Sequence, residues 1–136
     1  MRVAAHRGLN DIQLYDVDGE SPVLLGTRCR SCDSVFFPTL GLGCEVCGSA
    51  QLEAMAIEPV GTLHSVATVH LHQGHDIEAP FAIGEIQLDA GPLIRATMTD
   101  LVPPEQIGAR VNARWFTMRI DDDGNDVVEP RFELVR

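Results

Sequence analysis

Two C-x-x-C pairs, Cys29-Arg30-Ser31-Cys32 and Cys44-Glu45-Val46-Cys47, stand eleven residues apart and constrain this chain more than any other feature. Two tight turns of this kind can present four thiolates to one tetrahedral zinc ion, with Zn–S distances of about 2.3 Å. Each pair is followed by a turn former, Asp33 after Cys32 and Gly48 after Cys47. A knuckle that points backbone amides at its sulfurs requires such residues. The gap is shorter than the roughly 15–20 residues of the common ribbon spacing. It still accommodates a short hairpin, with Ser34-Val35-Phe36-Phe37-Pro38 as its apolar strand. A redox C-x-x-C ordinarily comes singly beside a βαβ pattern, and none surrounds these pairs. Two disulfides need an oxidising compartment, and the opening Met1-Arg2-Val3-Ala4-Ala5-His6-Arg7 lacks the apolar stretch of a secretion signal. The expectation is one structural Zn2+ held by Cys29, Cys32, Cys44 and Cys47 in a cytoplasmic protein. Four thiolates leave no open position for a catalytic water.

Strand signals dominate elsewhere. Residues 1–23 show no clear period, and 16–22 read as a turn. Val23 to Arg28 leads into the first knuckle as a strand, and Leu52 to Ile57 begins an extended stretch after the second. The longest candidate runs from Gly61 to His72, with Leu63, Ala67, Val69 and Leu71 forming an apolar face at period two. Phe81–Leu88 and Leu93–Thr99 flank a turn at 89–92, and Pro103-Pro104 stops regular structure. Val111–Ile120 and a final strand near 131–135 flank the acidic turn 121–126. Five strands after the cysteines suit a small Greek-key barrel of the OB kind. The fold class expected is all-β: a rubredoxin-like zinc ribbon over 24–53, a five-stranded OB-fold barrel over 54–136, and an N-terminal segment over 1–23.

The charge balance limits the partners. Twenty acidic residues stand against ten arginines and no lysine, a net charge of −10. Nucleic-acid affinity comes largely from neutralising phosphates, so no nucleic acid is expected to bind. No apolar run approaches the roughly 20 residues that cross a bilayer, so no membrane association is expected. His70, His72 and His75 cluster, and His64 shares the even face of the same predicted strand. Imidazoles alone do not select a metal, and a half-exposed strand face at an interface is a simpler reading of them than a second metal site or a general-base role for His64 or His70. No G-x-S-x-G elbow, Walker loop or dinucleotide fingerprint is present.

The ordered motifs resemble a known family, the zinc-ribbon/OB-fold acyl-CoA-associated proteins called domain of unknown function 35. The resemblance rests on 25–32, Phe36-Phe37-Pro38, 44–49, Gly61-Thr62-Leu63-His64-Ser65, 79–84 and 107–111. It spans residues 24 to 119. It implies a non-catalytic accessory subunit that docks on a thiolase or a thiolase-like aldolase of the sterol-carrier, lipid-transfer-protein type. Such a subunit helps hold or admit an acyl-CoA. Where the family often has Pro-Pro-Arg in the ribbon hairpin, this chain has Phe37-Pro38-Thr39.

On that reading Arg28, Arg30, Arg95, Arg110 and Arg114 are candidate contacts for an anionic CoA ester, because the planar guanidinium bonds phosphate bidentately. Each has the alternative of pairing with one of the many carboxylates. Val35, Phe36 and Phe37 are candidate partner contacts, or else hairpin core. Trp115 shares a face with Val111 and Ala113 and is expected in the barrel core. A rival reading is a free-standing OB module for single-stranded nucleic acid, and another an independent acyl-CoA hydrolase or dehydratase.

Overall fold

The computed structural model describes residues 1–5, 13–38, 41–72 and 77–135, so Thr39 and His75 lie outside the described residues. Among the described residues there are ten strands: β1 (Arg2–Ala4), β2 (Tyr15–Asp16), β3 (Val23–Cys29), β4 (Val35–Phe36), β5 (Leu52–Ile57), β6 (Val60–Val69), β7 (Phe81–Leu88), β8 (Leu93–Thr97), β9 (Arg110–Ile120) and β10 (Asp126–Leu134). The helical element among the described residues is a 3₁₀ turn, Pro104–Gln106. No helix among them is long and apolar enough to cross a membrane.

β3 is the centre of the ribbon sheet. It pairs antiparallel with β2 and β4 on the way into the first knuckle, and with β5 from Leu24 to Cys29. In the second sheet, β10, β9, β6, β7 and β8 follow one another as paired neighbours. A parallel bridge between Met98 and Phe132 joins β8 back to β10. The circuit β6-β7-β8-β10-β9-β6 is the closed five-stranded Greek-key barrel expected of an OB fold. Residues 1–23 supply a strand to each sheet, β2 to the ribbon and β1 parallel to β10.

One apolar core joins the two sheets. Leu24 and Ile57 from the ribbon lie in the same buried cluster as Leu63, Ile86, Val111 and Phe132 from the barrel. Gly61 permits a close approach at the start of β6. A Cβ there would stand 2.2 Å from the carbonyl oxygen of Gln87.

Three expectations fail for identifiable reasons. The period-two face of β6 breaks at His64, where a β-bulge interrupts pairing with β7 between Leu63 and Ser65. An extra residue reverses the faces beyond it. Val66 therefore packs on the core that Leu63 enters, while Ala67 is exposed and Leu71 lies past the strand's end. The last strand begins at Asp126 rather than near 131, because β10 is buried continuously from Val127 to Phe132 and includes charged residues. Trp115 is half-buried and outside the core cluster. Its ring meets Tyr15 edge-on, and its Nε1 donates to the carbonyl of Gly19 at 3.0 Å. The N-terminal segment is what covers it.

Gly61→Ala should destabilise the protein by about 1–3 kcal/mol, the usual cost of forcing atoms into a packed site. Chemical denaturation would register this as a lower midpoint at unchanged slope.

Candidate metal centre

The first knuckle forms where β3 ends. Cys29 N–H donates to Ser34 O at 2.8 Å, and Asp33 N–H to Cys29 O at 2.9 Å. The second repeats this geometry, with Cys44 N–H to Ser49 O at 2.8 Å and Gly48 N–H to Cys44 O at 2.9 Å. The residue after each second cysteine takes a left-handed backbone, Asp33 at φ 65° and Gly48 at φ 77°. Asp tolerates that region better than most side chains and Gly adopts it freely, so the turn formers expected at both positions serve the same purpose.

The four sulfurs converge. Cys29 Sγ lies 3.6 Å from Cys47 Sγ, and Cys32 Sγ lies 3.5 Å from Cys44 Sγ. All four lie within 4.8 Å of one another. A zinc tetrahedron with bonds of about 2.3 Å has sulfurs about 3.8 Å apart, so the donor set fits one zinc ion. Cys29 and Cys44 are buried, and Cys32 and Cys47 face outward. The amides of Val46 and Cys47 approach Cys44 Sγ at 3.4 Å. Ser34, through its hydroxyl and then its amide, draws the Cys32 thiol down to about 6. Hydrogen bonds to sulfur favour the thiolate there, whereas at Cys47 a backbone bond from Ser49 is outweighed by burial and the neighbouring sulfurs, which push its thiol up to about 12. Ser31 Oγ and Ser49 Oγ, 2.9 Å apart, tie one knuckle to the other.

The candidate arginines do not meet in one patch. Arg28 bonds Glu53 at 2.5 Å and also pairs with Asp33, while Arg30 reaches the other oxygen of Glu53 at 3.0 Å. Arg28, then Arg30, hold the Glu53 carboxyl below its ordinary range. This network fastens the first knuckle to β5. On the barrel, Arg110 grips Asp89 through both terminal nitrogens, at 2.8 and 2.5 Å. Arg95 lies 3.6 Å from Glu85, and Arg114 lies 3.3 Å from Glu133. Of the three apolar ribbon residues, Val35 and Phe37 pack against the core, and Phe37 stacks on Tyr15 at 6.4 Å. Phe36 is half-buried and borders a shallow depression with Pro38, Gly43 and Glu45.

No described histidine joins the cysteine group. His64 is exposed on the bulge, and His72 meets the Phe81 ring edge-on at 5.3 Å. Among the described residues, the cysteines alone form a group of three or more ligands at metal-binding separation. Ser31, Ser34 and Ser49, which the sequence places in the turns of the ribbon, also support the centre through their hydroxyls. Their positions beside C-x-x-C are the available signal. Arg131 is absent from the candidate arginines because the pattern placed it at a strand's start, whereas β10 buries it opposite Arg114.

Comparison with known proteins agrees with this geometry. Residues 18–53 match the family described as ChsH2, rubredoxin-like zinc ribbon domain, and residues 55–116 match ChsH2, C-terminal OB-fold domain. A DUF35 domain-containing scaffold protein of Methanocaldococcus jannaschii is 31% identical over 108 residues, covering 77% of this chain and 74% of the relative. One from Pyrococcus furiosus is 29% identical over 105 residues, covering 74% and 75%. Among solved structures, a chain of the Ltp2-ChsH2(DUF35) aldolase has the same fold. Its TM-score is 0.64 at 22% identity, over 82% of this chain and 84% of that one.

The purified protein should carry one zinc per chain by elemental analysis. Cys29→Ser or prolonged chelation should unfold the ribbon, because metal binding and folding are coupled in small zinc modules. Circular dichroism with thiol titration would detect it.

Proposed function

Because the chain belongs to the DUF35 family of zinc-ribbon/OB-fold scaffold proteins, we propose that it is the non-catalytic accessory subunit of a thiolase or thiolase-like aldolase and helps that enzyme bind or admit its acyl-CoA. The observation that carries this reading is the closed four-thiolate centre. It commits every cysteine of the chain to structure, and a centre with no open position supplies rigidity rather than Lewis acidity. The solved relative is described as an aldolase that joins an Ltp2 and a DUF35 component, which favours a thiolase-like partner over a free-standing role.

Docking is assigned to the outer surface of the ribbon. Val35 and Phe37 are turned toward the core, which leaves Phe36, with the exposed Leu42 and Val46 near the second knuckle, as the apolar contact surface. Apolar side chains on a rigid platform lose little entropy on association. Arg95 and Arg114 have the loosest carboxylate contacts of the five arginines and remain largely exposed. They are the arginines best able to turn toward a CoA phosphate. Weak or absent binding to single-stranded nucleic acid belongs to the same reading, since a net charge of −10 opposes a phosphate-tracking groove.

Co-expression with a thiolase-like subunit from the same genome should yield a stable complex, while the isolated chain should not turn over acyl-CoA. Phe36→Asp should abolish the complex with zinc content and melting temperature near wild type. Phe37→Asp should instead lower the melting temperature, because it strikes the packing against Tyr15. Substantial acyl-CoA turnover by the isolated chain would defeat the reading.

A further inference from the structure

The barrel does not stay closed along its whole length. β6 pairs with β9 only over Val60–Thr62, yet continues alongside β7 to Val69, while β9 runs with β10 to Ile120. The two strand pairs diverge, and at that end lies a cleft of about 360 Å³. Phe81, Met98, Leu101, Phe116 and Met118 line it, together with Arg131, the one cation among its described lining residues. The volume sits at the low end of the roughly 300–1,000 Å³ usual for small-molecule pockets.

Arg131 is unlike the arginines of the surface. Its side chain is 9% exposed, and its Nε donates to Glu129 Oε1 at 2.9 Å. The guanidinium carbon lies 3.5 Å from the centroid of the Phe116 ring. Neither terminal nitrogen bonds an acceptor among the described residues. Among the described residues no buried side-chain nitrogen or oxygen lacks a partner, so these terminal N–H groups reach accessible space, which the cleft supplies. A fork clamped at Nε and stacked on a ring loses little freedom when its terminal N–H groups are bonded.

We propose that this cleft binds a small monocarboxylate, its carboxylate on the terminal N–H pair of Arg131 and its apolar body against Phe81, Met98 and Met118. The planar fork matches a carboxylate bidentately. A phosphate dianion suits the site less well. Glu129 already offsets the cation, and the exposed Glu78 and Asp100 border the opening. The site is independent of the docking role assigned to the ribbon.

The test is a titration of the zinc-loaded full chain with sodium hexanoate, followed by the methyl resonances of Met98 and Met118. Hexan-1-ol and inorganic phosphate serve as comparison ligands. Saturable shifts with hexanoate are expected, with hexan-1-ol weaker by about tenfold or more, as loss of a charge-assisted pair implies, and inorganic phosphate weaker by a similar factor because it buries no apolar body. The double variant Glu129→Gln/Arg131→Gln removes the cation together with the carboxylate that clamps it and should weaken hexanoate by a similar factor. Asp100→Asn alters only an exposed rim residue, so it cannot act through the core, and should tighten hexanoate about twofold. Equal affinity for hexanol and hexanoate, no saturable shift at either methionine, or an Asp100→Asn affinity no tighter than wild type overturns the proposal.

Discussion

Convergence of four thiolates on one metal is the constraint on which the rest of the molecule depends. The ribbon has little apolar interior of its own, and small modules of that kind rely on a metal or disulfides for stability. Cys29 ends β3, the strand that pairs with β2, β4 and β5. Closing the tetrahedron therefore sets the direction of the ribbon's central strand. That strand places Leu24 in the common core, so the metal's geometry is conveyed to the barrel through packed side chains.

The joint between ribbon and barrel is built redundantly. Ile57 lies in the same cluster as Leu24, and β5 passes through Glu58 and Pro59 directly into β6. Phe37 and Tyr15 stack beside this core, and Tyr15 in turn touches Trp115 on the barrel. Burial, and then the charge of Glu129, push the Tyr15 hydroxyl up to about 12, further from neutral pH than an ordinary tyrosine. Such a joint holds ribbon and barrel in a fixed relation through packed side chains.

Charge is organised around the acidic excess. Arg28, Arg30, Arg95, Arg110 and Arg114 each stand beside at least one carboxylate, and Arg28 and Arg30 share Glu53. Exposed pairs of this sort add little stability, but they disperse positive charge over the surface. Arg131 differs because β10 is buried on both sides of Pro130. A buried arginine is retained only with a partner and good geometry, and Glu129 provides both.

Much of the architecture was legible in the residues because it rests on local chemistry. The C-x-x-C pairs, with Asp33 and Gly48 behind them, specify two knuckles whose hydrogen bonds close within six residues. The span Phe81–Leu88 and the turn at 89–92 are likewise local, set by alternation and by Gly91 at φ 129°. The parts decided by tertiary structure depend on partners distant in the chain. The bulge at His64 reflects pairing with β7, and one inserted residue reverses every face beyond it. Trp115 leaves the core because a segment about a hundred residues earlier supplies Gly19 O and Tyr15 to cover it. β1 and β2 are too short to show a period and exist because longer strands accept them. Alternation along a strand reports which residues share a face, whereas only the assembled sheets determine which face becomes interior.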